Sequence, residues 1–253
     1  MRLKDKIAIV VGGVSGIGKA IAERFVKEGA IVIAADLNEA RLPESQTELA
    51  ALGNKGYTVK MDMTDPVMVQ NVVDGVIENY GRLDIIVCSG GASWHVPFEK
   101  ITNEEWTNMI HMHLDSSFYL AKAVTPAMMS QKWGRIIFIS SGHGLRGMSG
   151  KVHYSAAKGG VIAFARALGS ELGPYGITVN TIAPGVTLTS MVASQYSEEA
   201  LAAMANAMPD KQLAQPEDMA AMAVLLASDE GKHLNCHTWA VDGGDTVANA
   251  KRN

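Results

Sequence analysis

Apolar residues along this chain fall into two alternating patterns. Dense runs rich in valine, isoleucine and alanine occupy residues 7–11, 31–35, 57–61, 85–88, 136–140, 178–182 and 237–241. Most of them show no alternation of apolar and polar positions, the pattern of parallel strands covered on both faces. Between the runs, apolar residues recur at helical spacing near 16–28, 38–52, 66–80, 103–129, 152–172 and 217–228. Repeated strand–helix units predict an α/β fold, a parallel sheet with helices on both sides. No Pro/Ser/Gly-rich linker, charge block or internal repeat breaks the series, so a single domain over 1–253 is the simpler reading. Residues 184–216, with Ser190, Met191 and Met204, form the longest irregular-looking stretch. It reads either as a short helical lid over a pocket or as an ordinary surface excursion.

Composition narrows the classes. The net charge of -4 and the lack of a dense Lys/Arg run give no nucleic-acid surface. No stretch reaches the roughly 18–20 apolar residues of a membrane helix. The basic start, Met1 to Lys6, followed by an apolar run invites a signal-peptide reading, but the run breaks at Gly12-Gly13 and reads as a strand. Two cysteines, Cys88 and Cys236, far apart in sequence, fit reduced thiols, hence a cytoplasmic protein.

The first apolar run leads into Gly12-Gly13-Val14-Ser15-Gly16-Ile17-Gly18 and then a helix. Glycines at 12, 16 and 18 permit a tight turn and let a pyrophosphate approach the helix N-terminus, where free N–H groups and the helix dipole favour negative charge. The spacing is Gly-x-x-x-Gly-x-Gly, and its position between a buried strand and a helix makes it a dinucleotide signal. Asp36 follows the second strand, where a carboxylate accepts both ribose hydroxyls and repels the extra phosphate of NADP. Neither Ser15 nor Leu37 offers a positive charge for that phosphate, so the expected cofactor is NAD. The rival reading of Asp36 is a helix cap or loop carboxylate. Asp62-Met63 follows the third strand, where an adenine would lie; Asp62 or Asp65 would equally serve to cap the next helix.

Tyr154 and Lys158 are one helical turn apart, so their side chains share a face. A phenol with an ordinary pKa of about 10 is a poor base, and a neighbouring ammonium favours the phenolate. Tyr154 is therefore the expected proton donor and acceptor for an alcohol/carbonyl pair, with the Ser141 hydroxyl holding the reacting oxygen.

With these residues in place, the chain resembles the short-chain dehydrogenase/reductase family from Leu3 to Gly244. The markers run in order: the Gly12–Gly18 turn, Asp36, Asp62, Leu83-Asp84, Ser141, Tyr154 with Lys158, Asn180, Pro184-Gly185 with Thr189, and Val241-Asp242-Gly243-Gly244. The resemblance implies a single Rossmann-type, doubly wound domain of about seven parallel strands. It implies a cofactor-binding part over 1–140, catalytic and substrate-binding elements over 141–215, and a C-terminal helix and strand over 216–253. It also implies a homo-oligomer, a tetramer foremost. Lys158 would bond the nicotinamide ribose as well. Ser89, Gly90 and Gly91 would pass near that ribose, and the Pro184-Gly185-Val186-Thr187-Leu188-Thr189 segment would meet the nicotinamide amide through the Thr187 backbone and the Thr189 hydroxyl.

Four positions depart from the family pattern. Cys88-Ser89-Gly90-Gly91 stands where Asn-Asn-Ala-Gly is usual, and a thiol lacks the amide's donors. His113 replaces an asparagine that holds a water for proton relay; imidazole would hold that water or relay the proton itself, or merely fill the space. Val11 replaces a threonine, and Cys236 stands at a usual glycine.

Trp94, His95, His143, Arg146 and His153 fall near the carboxyl ends of strands, where ligands of such sheets bind, and hint at a polar or anionic substrate with Trp94 as an apolar wall. Each is equally readable as an ordinary loop residue. His111 and His113, two apart on a helix, point to different faces, and no metal motif is present, so no metal is expected. The leading expectation is an NAD-dependent alcohol dehydrogenase or carbonyl reductase acting on a small molecule. The alternatives are a 3-oxoacyl-thioester reductase and a catalytically weak partner subunit.

Overall fold

The computed structural model describes residues 1–248; residues 249–253 of the C-terminal segment and the side chains of Met191 and Gln195 lie outside that description. Seven strands form one parallel sheet: β1 Ile7–Val11, β2 Ile31–Asp36, β3 Thr58–Lys60, β4 Ile85–Cys88, β5 Gly134–Ile139, β6 Ile177–Pro184 and β7 Thr238–Val241. Their spatial order is β3-β2-β1-β4-β5-β6-β7. The chain winds outward from β1 in one direction, then returns to start again at β4. The reversal between β1 and β4 opens a crevice at the carboxyl ends of the strands.

The continuous apolar runs have a simple cause. Ile7, Ile9 and Val11 face one core and Ala8 and Val10 the other, so each β1 residue is covered. The first core is closed by α3 (Pro66–Tyr80), α5 (Ser116–Gln131) and α7 (Val152–Leu172), through residues such as Val69, Val73, Leu120, Val124 and Val161. The second is closed by α1 (Gly16–Lys27), α2 (Leu42–Ala51) and α10 (Pro216–Ala227), through Ile21, Phe25, Leu49, Met219 and Val224. A buried side chain of this size contributes about 1.5–3 kcal/mol. The Asp84 carboxylate accepts the Ile7 N–H at 2.9 Å and fixes β4 beside β1.

Two expectations needed correction in detail. The helix expected over 103–129 is broken: α4 (Asn103–Ile110) passes into a π-helical turn at His111–Asp115 before α5 begins. Hydroxyls take up carbonyls at the wide turn, with Ser116 donating to Met112 O and Ser117 to His113 O, both at 2.6 Å. The stretch 184–216 is less irregular than it reads: it holds two short helices, α8 (Ser190–Gln195) and α9 (Glu198–Ala207), capped by the hydroxyls of Thr189 and Ser197.

Two of the family departures are accommodated locally. Cys88 is buried in the first core, and the backbone bond Ser89 N–H to Val11 O, at 3.0 Å, ties β4 to β1 there. Cys236 holds φ at 59°, the left-handed conformation that explains why glycine is usual at this point.

Candidate active site

The glycine turn after β1 is a close-packed cradle. A Cβ on Gly18 would lie 2.1 Å from Gly12 O, and one on Gly12 would lie 2.8 Å from Gly90 N. Side chains at either place would drive α1 or the loop after β4 away. Gly12 N–H also donates to Ala35 O at 2.8 Å, a backbone brace that needs no threonine at position 11. Thr189 leans over the turn, its Cγ2 3.3 Å from where a Gly16 Cβ would sit, while its hydroxyl caps α8 by accepting the Val192 N–H. The cradle thus fits a bound pyrophosphate, with the segment after β6 as its far wall.

Asp36 ends β2 half-buried, and its Oδ1 accepts the Asn38 N–H at 2.9 Å; Leu37 beside it is exposed. Asp62 accepts both the N–H and the hydroxyl of Thr64, which hold its carboxyl below the usual range. The cap of α3 is Asp65, which accepts from Val67 and Met68. Met63 packs over Gly90, its Sδ 2.7 Å from a Cβ placed there. Ser15, Ile17, Ser89, Pro184, Gly185 and Thr187 all lie in the segments bordering this crevice, and Thr187 donates its hydroxyl to Gly185 O at 3.1 Å.

Ser141 follows β5 and caps α6 (Gly142–Arg146), its oxygen accepting the His143 N–H at 3.1 Å. A hydroxyl accepts and donates at once, and Ser141 also stands close enough to the Tyr154 phenol to lower its pKa. The first turns of α7 are anchored to the end of β5. Ser140 donates to Lys158 O at 3.0 Å, and Lys158 Nζ donates to Ile139 O at 2.8 Å. The Lys158 ammonium lies 5.8 Å from the centre of the Tyr154 ring. Burial raises the Tyr154 pKa and the Ser141 hydroxyl lowers it, so in this geometry serine is the group that favours phenolate. Burial lowers Lys158 to about 8, against a small opposing effect of Cys88.

Two histidines flank the phenol edge-on, His113 at 5.3 Å and His143 at 6.1 Å between ring centres. Gly91, at φ 132°, makes room for His113: a Cβ there would lie 2.2 Å from its Cε1. His113 Nε2 is 2.8 Å from Ala92 O. A carbonyl only accepts, so Nε2 carries the proton, and the buried Nδ1 is left as an unpartnered acceptor. His111, on the other face of the turn, pairs with Asp115 at 3.1 Å.

Burial, then the Lys158 charge, push His113 down to about 3, and burial, Lys151 and Arg146 push His143 down to about 4. Both are neutral when folded, whereas in the unfolded chain each gains a proton near 6.5. The unfolded state therefore binds more protons below about 6.5, and stability falls with falling pH by about 1.4 kcal/mol per unit per histidine. Urea unfolding is expected to show a declining midpoint between about pH 7 and 5, with a shallower decline in His143→Asn. A flat midpoint would contradict neutral burial.

The remaining candidates divide. Arg146 pairs with Asp245 at 2.7 Å, tying α6 to the segment after β7. His95 is exposed and its ring lies over Gly150. His153 is fully buried edge-on to Trp94, ring centres 5.7 Å apart, with both nitrogens unpartnered. Lys151 and its partner Ser93 escaped the sequence reading.

The sequence model of the family described as short chain dehydrogenase matches residues 6–200. The chain belongs to the short-chain dehydrogenase family. It is 35% identical over 96% of its length to the 3-oxoacyl-[acyl-carrier-protein] reductase FabG of Vibrio cholerae, covering 98% of that protein. It is 36% identical, over 96% of its length and 98% of the relative, to nodulation protein G of Azospirillum brasilense. Among solved structures, this dehydrogenase-family chain matches gox2181 with a TM-score of 0.93 at 33% identity, over 98% of both chains. It matches levodione reductase with a TM-score of 0.93 at 28% identity, over 98% of this chain and 100% of that one. A short-chain dehydrogenase is an oxidoreductase that works with a nicotinamide cofactor.

Proposed function

We propose that this chain transfers hydride between NAD and a secondary alcohol or ketone of a small polar or anionic substrate, with Tyr154 as acid and base. The observation that carries the reading is the meeting of three groups from two elements. Ser141, capping α6, stands close enough to the Tyr154 phenol to lower its pKa, and Lys158 lies one turn further along α7.

The glycine cradle would hold the pyrophosphate, Asp36 the adenosine ribose, and Asp62-Met63 the adenine side. Ser89, Gly90, Gly91 and Lys158 would border the nicotinamide ribose, and Thr187 and Thr189 its amide. When bound, the nicotinamide supplies or takes up the hydride. In oxidation Tyr154 takes the hydroxyl proton while the Ser141 hydroxyl holds the oxygen. The unpartnered Nδ1 of His113 would accept a hydrogen bond from a water on the proton's way out. Asp36 supports NAD over NADP, because a carboxylate at the ribose repels a phosphate. Asp36→Ala is expected to weaken NAD binding about tenfold or more and to narrow the gap to NADP, as read by tryptophan fluorescence titration. Tighter binding of NADP than NAD by the unaltered protein would overturn this.

The second reading is reduction of a 3-oxoacyl thioester, favoured by relatives such as FabG of Vibrio cholerae and of Thermotoga maritima. Assays of the purified chain alone, with alcohols, oxo acids and 3-oxoacyl thioesters, separate the readings and test the partner-subunit alternative. Free thiols at Cys88 and Cys236 support a cytoplasmic setting, and among the described residues no helix is long and apolar enough to cross a membrane. Exposed Trp106 on α4 and Phe118 on α5 support assembly of copies into a tetramer through these helices.

A further inference from the structure

Lys151, an ammonium beside Tyr154, has no counter-ion among the described residues. Lys151 stands at the start of α7, half-buried, with Nζ 5.9 Å from the centre of the Tyr154 ring. Its hydrogen bond goes to a neutral group, the Ser93 hydroxyl at 3.2 Å. Among the described residues no carboxylate comes within 4.0 Å of it. Of the neighbouring cations, Arg146 pairs with Asp245, and Lys158 is buried with its ammonium turned to Ile139 O at the end of β5. Burial lowers the Lys151 pKa, the direction expected of a partly desolvated charge without a partner.

The lysine is also held in place. Val96 N–H donates to Gly150 O at 2.8 Å, so the loop after β4 is tied to the loop before α7. The His95 ring covers Gly150, leaving no room for a Cβ there, and Lys151 N–H donates to Met148 O at 3.1 Å. On another side of the phenol, His143 contributes a buried ring nitrogen without a hydrogen-bond partner. A half-buried cation without an oppositely charged partner costs desolvation, which a bound anion would offset.

We propose that Lys151, with Ser93 and His143 beside it, binds the carboxylate of a short 2- or 3-oxo acid or the matching hydroxy acid, and so selects acids over neutral carbonyl compounds. The inference rests on Tyr154 as the reacting centre. It is short acids that fit, because a group bonded to Lys151 and an oxygen at Tyr154 must share a molecule spanning only a few bonds. A thioester in the same place is neutral and would leave the ammonium unpaired, so the proposal also separates the two readings above.

The test compares 2-oxopropanoate and 3-oxobutanoate with their methyl esters as substrates. The unaltered enzyme is expected to favour at least one acid over its ester by about tenfold or more in kcat/KM, chiefly through KM. Lys151→Gln is expected to erase most of that ratio, and Lys151→Arg to restore part of it. An acid-to-ester ratio near one in the unaltered enzyme, or one unmoved in Lys151→Gln, overturns the proposal. If no carbonyl compound turns over, calorimetric titration with the same acids and esters decides. Acid binding lost in Lys151→Gln supports the site, and equal binding of acid and ester overturns it. Failure of the Tyr154 reading looks different: Tyr154→Phe would then keep its turnover whatever the acid-to-ester ratio.

Discussion

Tyr154→Phe is expected to lower turnover by about a hundred- to ten-thousandfold while cofactor binding stays within about threefold. The range is that of a lost acid–base group. Phenylalanine keeps the ring between His113 and His143, so packing is little disturbed, and removes only the hydroxyl. The combination of rate and binding is the diagnostic. Loss of both would point to a misfolded site, and retention of both would show that another group moves the proton. Because Ser141 is the group that favours the phenolate here, Ser141→Ala should shift the pH at which activity falls upward, a secondary readout of the same arrangement.

Gly18→Ala is expected to have the second-largest effect, a loss of cofactor affinity of tenfold or more together with a stability loss of about 1–3 kcal/mol. The added methyl would lie 2.1 Å from Gly12 O, a backbone atom held by the turn and unable to rotate aside. Either α1 moves off the sheet or the turn opens, and in both cases the helix N-terminus leaves the position suited to a pyrophosphate. Fluorescence titration with NAD and urea unfolding would be read together. Affinity within twofold of the unaltered protein would show that the turn is not the cofactor cradle.

The strands were legible because burial on both faces leaves its mark in every residue of a run, as in Ile7–Val11 and Ile85–Cys88. The edge was less legible. The run expected over 57–61 shortens to Thr58–Lys60, where a half-buried edge strand imposes little on its side chains. At the site, the closeness of Ser141, Tyr154 and Lys158 was legible, because it depends on spacing along one helix and the strand end beside it. The ties between loops were not. Lys151 with Ser93 and Arg146 with Asp245 join residues far apart in the chain, and each lysine or arginine alone reads as a surface charge. The neutral state of His113 was hidden for the same reason, since it follows from burial and a charge brought in by another element.

The π-helical turn at His111–Asp115 has a further consequence for how this chain can change length. A residue removed from a regular α-helix rotates everything beyond it by about 100° and turns a buried face toward solvent. The wide turn already carries one surplus residue relative to α-helical winding, so a deletion there would heal the winding and leave α4 and α5 seated where they are. It marks the stretch of that long helical segment where loss of a single residue alters chiefly the shape of the wall beside Tyr154. Such a shortening would be tolerated there by the body of the protein and felt chiefly at the pocket.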